Sequence, residues 1–186
     1  MSDQESILHW PDRLEALVDQ IGPPLKQSRV MCTCASTQDQ ASAMGLGAIV
    51  VAGHQTAGRG QRGNVWFGGG DAGLAFSLVL SATSRPERSR ALASAIVVAL
   101  GDLVPRRLRV KAPNDVLLDG RKLAGVLVEQ AEGLAVIGVG INVGAFDWPP
   151  ALNDQAISLS EAGLRLDRMT VLEKVVPLLV EAWGAP

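Results

Sequence analysis

Asp119-Gly120 separates two apolar runs, residues 116–118 and 123–130, and no other feature constrains the fold of this chain as tightly. A type I′ turn needs φ > 0 at both central positions, which Asp tolerates and Gly adopts freely. Asp-Gly between apolar runs therefore predicts a two-stranded antiparallel hairpin. Further strands are expected at residues 28–34, 48–52, 74–80, 107–111 and 134–143. Helical spacing marks residues 11–20, where Leu14, Leu17 and Val18 share a face ahead of Gly22-Pro23-Pro24, and residues 84–104 ahead of Pro105. A short helix is expected from Ser36 to Gly45, with Asp39 completing a capping box. A closing helix is expected over 170–183, capped by Thr170 with Glu173 and kinked at Pro177. Hairpins with helices grouped around them predict the α+β class, with a mixed, largely antiparallel sheet and packed helices.

Two segments carry the chemistry. In Thr56-Ala57-Gly58-Arg59-Gly60-Gln61-Arg62-Gly63, three glycines let the backbone approach a ligand closely, and Arg59 and Arg62 add fixed positive charge. That combination suits an anion, and Arg59, set between two glycines, can swing over a bound phosphate. With Gly68-Gly69-Gly70 following, the segment reads as an open loop, mobile until a ligand orders it. The second segment, Lys111-Ala112-Pro113-Asn114-Asp115-Val116, and Lys122 beyond it supply two amines and a carboxylate, the groups a nucleoside triphosphate with Mg²⁺ requires. The chain has four lysines, so two of them in these segments are informative. Together the segments read as a nucleotidyl-transfer site.

These stretches occur in one order with Ser36-Thr37, Gln55, Trp66, Arg121-Lys122-Leu123-Ala124-Gly125 and Gly138-Val139-Gly140-Ile141-Asn142. In that order they resemble the catalytic domain of the biotin protein ligases, over roughly residues 30–183. The resemblance implies the fold shared with class II aminoacyl-tRNA synthetases. It also implies an enzyme that adenylates biotin with ATP and Mg²⁺ and passes the biotin to a lysine of a biotin carboxyl carrier protein. By resemblance Lys122 binds the biotin carboxylate and the α-phosphate, Lys111 assists at the phosphates, and Arg59 is the third catalytic group. Ser36, Thr37 and Gln55 meet the ureido ring, with backbone from Gly58, Arg59 and Gly138. Gln61, Arg62 and Asn114 belong to the nucleotide side, Asn142 reads the adenine edge with a donor and an acceptor, and Trp66 stacks on the base. Asp115 is the implied Mg²⁺ ligand. Ser36 can serve at the same time as a helix N-cap. Four departures stand out: Gln61 where an arginine that helps hold the acyl-adenylate is usual, Asn64 for another arginine, Ala112 for tryptophan, and Gly68-Gly69-Gly70 for a Ser-Pro type turn.

With 186 residues, 47% of them hydrophobic, the chain supports one substantial core. Residues 1–27 are expected to form an N-terminal helical segment and residues 28–186 the catalytic domain, with neither a DNA-binding domain nor a C-terminal SH3-like domain. A net charge of -2 gives no global basic field, so nucleic acid is not an expected partner. No run approaches the ~18 apolar residues of a membrane helix and the N-terminus lacks signal-peptide character, so a cytoplasmic protein is expected, with homodimer formation left open. Cys32 and Cys34, two apart on an expected strand, read as buried free thiols. Two other readings remain open at this point: a non-catalytic protein that binds biotin or biotinyl-adenylate, and a ligase for a related acid such as lipoate.

Overall fold

The computed structural model describes residues 7–85, 87–105 and 107–184. The first helix, α1 (Trp10–Ile21), has proline in its first turn, where the missing N–H costs nothing, and buries Trp10, Leu14, Leu17 and Val18. The remaining elements are β1 (Gln27–Cys34), α2 (Thr37–Met44), β2 (Ala48–Gln55), β3 (Gly73–Ser81), α3 (Arg88–Gly101), β4 (Leu108–Lys111), β5 (Asp115–Leu118), β6 (Arg121–Ala131), β7 (Leu134–Asn142) and α4 (Arg168–Gly184). The strands form one seven-stranded sheet in the order β1-β2-β3-β7-β6-β5-β4. Only β1 and β2 run parallel; the other pairs are antiparallel, the α+β arrangement expected from the hairpin signal.

The turn that drove that expectation has φ of 50° at Asp119 and 89° at Gly120. A second pair, Glu132 and Gly133, repeats it between β6 and β7 with φ of 52° and 77°. Glutamate is a poor left-handed residue, so the sequence carries little warning of this second turn. The two hairpins put β5, β6 and β7 side by side.

The sheet's two faces differ. Ile49, Val51, Leu74, Phe76, Leu78, Ile137 and Ile141 form one face and bury themselves in the core shared with α1, α3 and α4. Truncating a ring as enclosed as Phe76 costs about 3–5 kcal/mol. The helix at 10–21 thus shares the catalytic segment's core, and Arg13 on α1 donates twice to Glu173 on α4 at 2.7 Å. On the opposite face α2 is the only helix packed on the sheet among the described residues, setting Ala41 against Ala48, Val50, Val79 and Val136. Beyond α2 that face carries Gly125, Gly138 and Gly140. This glycine strip is the floor of the cleft described below.

Several local expectations are corrected. Ser36 caps α2 by accepting from Gln38 N at 3.3 Å, but Asp39 turns outward to Arg59 instead of back to the cap. α4 begins two residues earlier than expected because Asp167 caps it, accepting from Thr170 N at 2.8 Å, while Glu173 is taken by Arg13. Pro177 lies within α4, where the sequence places it. Cys34 is buried but Cys32 is exposed; β1 is the sheet's edge strand and little covers it along most of its length.

Candidate active site

The glycine-rich segment is folded. Arg59 and Val65 form an antiparallel bridge, Gly60 N donates to Asn64 O at 2.7 Å and Trp66 N to Gly58 O at 2.9 Å. Asn64 N donates to Gln61 O at 3.1 Å across Arg62 and Gly63, whose φ values are 58° and 78°. Positive φ at both central residues makes this a type I′ turn, so the stretch read as an open loop is a small hairpin with Arg62 at its exposed tip. Beyond it Phe67, Phe146 and Trp148 cluster, with Phe146 and Trp148 stacked at 4.2 Å between centroids. That cluster anchors the C-terminal end of the segment.

Between this hairpin, α2 and the glycine strip lies a narrow, half-open cleft. Ser36, Thr37, Gln55, Arg59, Gln61, Trp66, Asn114, Lys122 and Gly138 all line it, so nine of the residues singled out in the sequence meet at one site. Gly58 and Arg62 face a second groove on the outer side of the hairpin. Lys111 sits exposed at the end of β4, paired in register with Asp115 across the turn.

Lys122 reaches the cleft through an irregularity in its strand. Val116 pairs with Ala124 but Leu117 with Lys122, which leaves Leu123 as an extra residue. Gly125, Leu127 and Glu129 alternate along one face of β6, and strict alternation would put Leu123 beside them. The bulge instead buries Leu123 in the core and turns Lys122 to the cleft, the re-aiming that bulges near sites provide. Lys122 Nζ lies 2.7 Å from Asp115 Oδ1 and 5.5 Å from the Trp66 ring centre. Its backbone is held by the 152–157 segment: Lys122 N donates to Gln155 O at 2.7 Å, and Ile157 N donates to Lys122 O at 3.0 Å.

At the far end, Thr37 N and Oγ1 donate to Gln55 Oε1 at 2.7 and 3.1 Å, and Thr37 Oγ1 also lies 2.8 Å from Ser77 Oγ. The Trp66 indole packs on the glycine strip; a Cβ at Gly140 would overlap the ring. Asn114 Nδ2 donates to Val126 O at 2.7 Å, which ties the start of β5 to β6.

Two expected roles change. Arg59 does not swing free: it donates to both oxygens of Asp39 at 2.8 and 2.9 Å and to Glu129 Oε2 at 3.4 Å. The hydrogen bond from Arg59 holds the Asp39 carboxyl below the usual carboxylate range, and Asp39 in turn raises the guanidinium. Asn142, 2% exposed, has spent its donor, since Nδ2 gives to Lys122 O and Ile157 O, both at 3.1 Å. Oδ1 is buried without a partner among the described residues and Asn142 is not among the residues that line the cleft, so the expected donor is lost and an acceptor alone remains. The side chain is used up because the 152–157 segment folds over the end of β7.

Sequence reasoning missed Gln38, Ser77, Gly125, Gly140 and Arg59's partners. Gln38 follows Ser36-Thr37 directly, and glycine inside a strand marks a close approach, so these had a signal. Ser77, Asp39 and Glu129 had none, being brought together by strand register and by the packing of α2 on the sheet.

Residues 27–145 match the biotin/lipoate A/B protein ligase family. The chain is 37% identical over 142 residues to the bifunctional ligase/repressor BirA of Bacillus subtilis, covering 70% of this chain and 44% of that protein. It is 35% identical over 126 residues to the biotin--[acetyl-CoA-carboxylase] ligase of Mycobacterium tuberculosis, covering 63% and 47%. The chain thus spans less than half the length of these relatives. The biotin protein ligase of Aquifex aeolicus, solved in complex with biotin and ATP, superposes with a TM-score of 0.78 at 30% identity, covering 85% of this chain and 70% of that one. On the family match over residues 27–145, the identity to these relatives and the superposition of the fold, the chain belongs to the biotin/lipoate A/B protein ligase family.

Proposed function

We propose that this chain is the catalytic domain of a biotin protein ligase: it condenses biotin with ATP to biotinyl-5′-AMP and transfers the biotin to a lysine of a carboxyl carrier protein. One observation carries the reading. An ammonium, Lys122 Nζ, paired to a carboxylate at 2.7 Å, stands in the same cleft as the neutral polar set of Ser36, Thr37 and Gln55. Biotin has the matching layout, an uncharged polar head at one end and a carboxylate at the other, and a few neutral polar groups beside one fixed charge suit a ligand of that kind.

In the first step a carboxylate oxygen of biotin attacks the α-phosphorus and pyrophosphate leaves. Two anions must meet, so the protein's contribution is positioning and charge neutralisation. Lys122 serves both, since it is held by Asp115 and the Trp66 ring and its strand is gripped from behind. Gln55, whose Oε1 is occupied by Thr37, keeps its Nε2 as a donor for the ureido carbonyl. Trp66 offers a ring for the base and Asn142 an acceptor for the adenine amino group. Lys111, at the exposed end of β4, serves the outer phosphates, Gln61 reaches the nucleotide from the cleft wall, and Arg62 does so from the hairpin tip. In the second step the carrier lysine's amine attacks the acyl carbonyl and AMP leaves.

Among the described residues no group of three or more His, Cys, Asp or Glu side chains could hold a metal ion alone. Mg²⁺ bound with ATP needs only one or two carboxylates beside phosphate oxygens, and Asp115 fits as that single protein ligand. The ion would neutralise phosphate charge.

No helix among the described residues is long and apolar enough to cross a membrane. The deciding experiment is biotin-dependent exchange between pyrophosphate and ATP, with lipoate and octanoate as competing acids. Exchange with biotin alone supports the ligase. Biotin binding without exchange would instead favour a non-catalytic binding protein, a reading that Arg59's engagement by Asp39 and Glu129 makes specific.

A further inference from the structure

Gln38 opens α2 directly after Thr37, is 4% exposed and lines the cleft beside Gly138. Its Nε2 donates to Glu129 Oε2 at 2.8 Å and to Val136 O at 3.4 Å. A carboxylate and a peptide carbonyl can only accept, so turning the amide over would set oxygen against oxygen. Oε1 must therefore face the other way. It faces Gly138, where a Cβ would lie 2.7 Å from it, and it has no hydrogen-bond partner among the described residues. A buried amide oxygen without a donor is unfavourable, and a ligand N–H that reaches it relieves the cost.

Gln55 has the opposite polarity. Its Oε1 is filled by Thr37, which Ser77 holds in turn, and Nε2 is left to donate. The cleft thus offers one fixed acceptor and one fixed donor. A cyclic urea, with N–H beside C=O, satisfies both, whereas an alkyl or dithiolane acid satisfies neither.

We infer that Gln38 is a specificity-determining residue whose Oε1 accepts a ureido N–H of biotin, and that Glu129 is the positioning residue that fixes the polarity of the Gln38 amide. The inference rests on the biotin reading above and adds what rejects the apolar acids. Glu129 also accepts from Arg59 at 3.4 Å, so its role has to be separated from that contact.

Calorimetric titration of wild type, Gln38→Leu, Glu129→Gln and the double variant with biotin and with octanoate makes the separation. Gln38→Leu should weaken biotin about a hundredfold and leave octanoate unchanged, because a site built to pair an N–H loses its discrimination with that group. Glu129→Gln, which lets the amide turn over, should weaken biotin about tenfold, the effect of a neutral hydrogen bond misaligned. The double variant should bind biotin no worse than Gln38→Leu, since no amide remains to orient. An unchanged preference for biotin over octanoate in Gln38→Leu overturns the role of Gln38. Additive losses in the double variant overturn that of Glu129 and assign its effect to Arg59. If circular dichroism shows Gln38→Leu unfolded, Gln38→Asn, whose amide falls one carbon short, is read by the same criteria. Wild-type protein that binds no biotin overturns the ligase reading itself, and this one with it.

Discussion

Asp115 and Lys122 start from opposite strands of one hairpin and meet at 2.7 Å, Oδ1 to Nζ, because the extra residue Leu123 turns Lys122 toward the cleft. The pair holds the ammonium in place before any substrate arrives, which is the arrangement that stabilises a developing anion without reorganisation. Lys122→Ala should keep the fold, since the side chain is only part-buried and the strand is held through its backbone. Biotin-dependent ATP/pyrophosphate exchange should fall by at least about a hundredfold, the usual loss for one preorganised charge. Near-normal exchange in a folded variant would remove Lys122 from the mechanism.

The Asp39–Arg59 pair predicts a pH dependence. Arg59 lowers the Asp39 carboxyl, so this contribution to stability is fully present above the unfolded Asp value and is lost as pH falls through the depressed folded value. Both side chains are largely solvent-exposed, which limits the gain to about 0.2–1 kcal/mol. Thermal unfolding of wild type and Asp39→Asn should differ by a small margin at about pH 7 and converge as pH falls through the depressed Asp39 value. A difference that persists unchanged into acid would mean the pair contributes through packing.

How far the site could be read from the sequence depended on whether its signals were local. The Asp119-Gly120 turn, the glycine density of residues 58–70 and the position of Lys122 beside a hairpin are properties of a few neighbouring residues, and each led to the right region. The partners of Arg59 lie 20 and 70 residues away, and nothing near Arg59 announces them. The same holds for Asn142, whose donor is taken by Ile157 O only because the 152–157 segment folds back. Periodicity reports which face a residue occupies; it does not report register. A one-residue bulge such as Leu123 changes the face of a catalytic lysine while leaving the hydrophobic pattern almost untouched.

Gln61 lines the cleft at the start of the hairpin turn, where an arginine is the usual residue of the resembled motif. An arginine there would meet the adenylate phosphate through charge-assisted hydrogen bonds of about 1.5–3 kcal/mol, and glutamine's neutral amide supplies about half that. The difference corresponds to about a tenfold faster escape of the mixed anhydride. Released biotinyl-adenylate acylates any exposed lysine, so wild type should label an added non-carrier protein more than Gln61→Arg does at matched adenylation rates. Streptavidin detection of the bystander checks it, and equal, negligible labelling in both would show that the closed hairpin already retains the intermediate.

Gly140 and Trp66 give the sharpest structural test. The indole lies against the strand so closely that a Cβ at Gly140 would overlap it, and a Cβ at Gly125 would lie 3.2 Å from the same ring. Neither glycine needs its freedom of φ, since both sit in regular strands. What they supply is absence of a side chain. Gly140→Ala should therefore act as an overpacking change, costing about 1–3 kcal/mol or driving the ring off its seat. In a Trp66→Ala background the same substitution meets nothing and should cost far less, so the two changes are strongly non-additive. Urea denaturation of the four proteins measures the coupling, and ATP affinity reports whether the ring has moved from the place where the base would stack. Equal costs of Gly140→Ala with and without Trp66 would show that the indole does not rest on this strand in solution, and would withdraw Trp66 from the nucleotide side of the cleft.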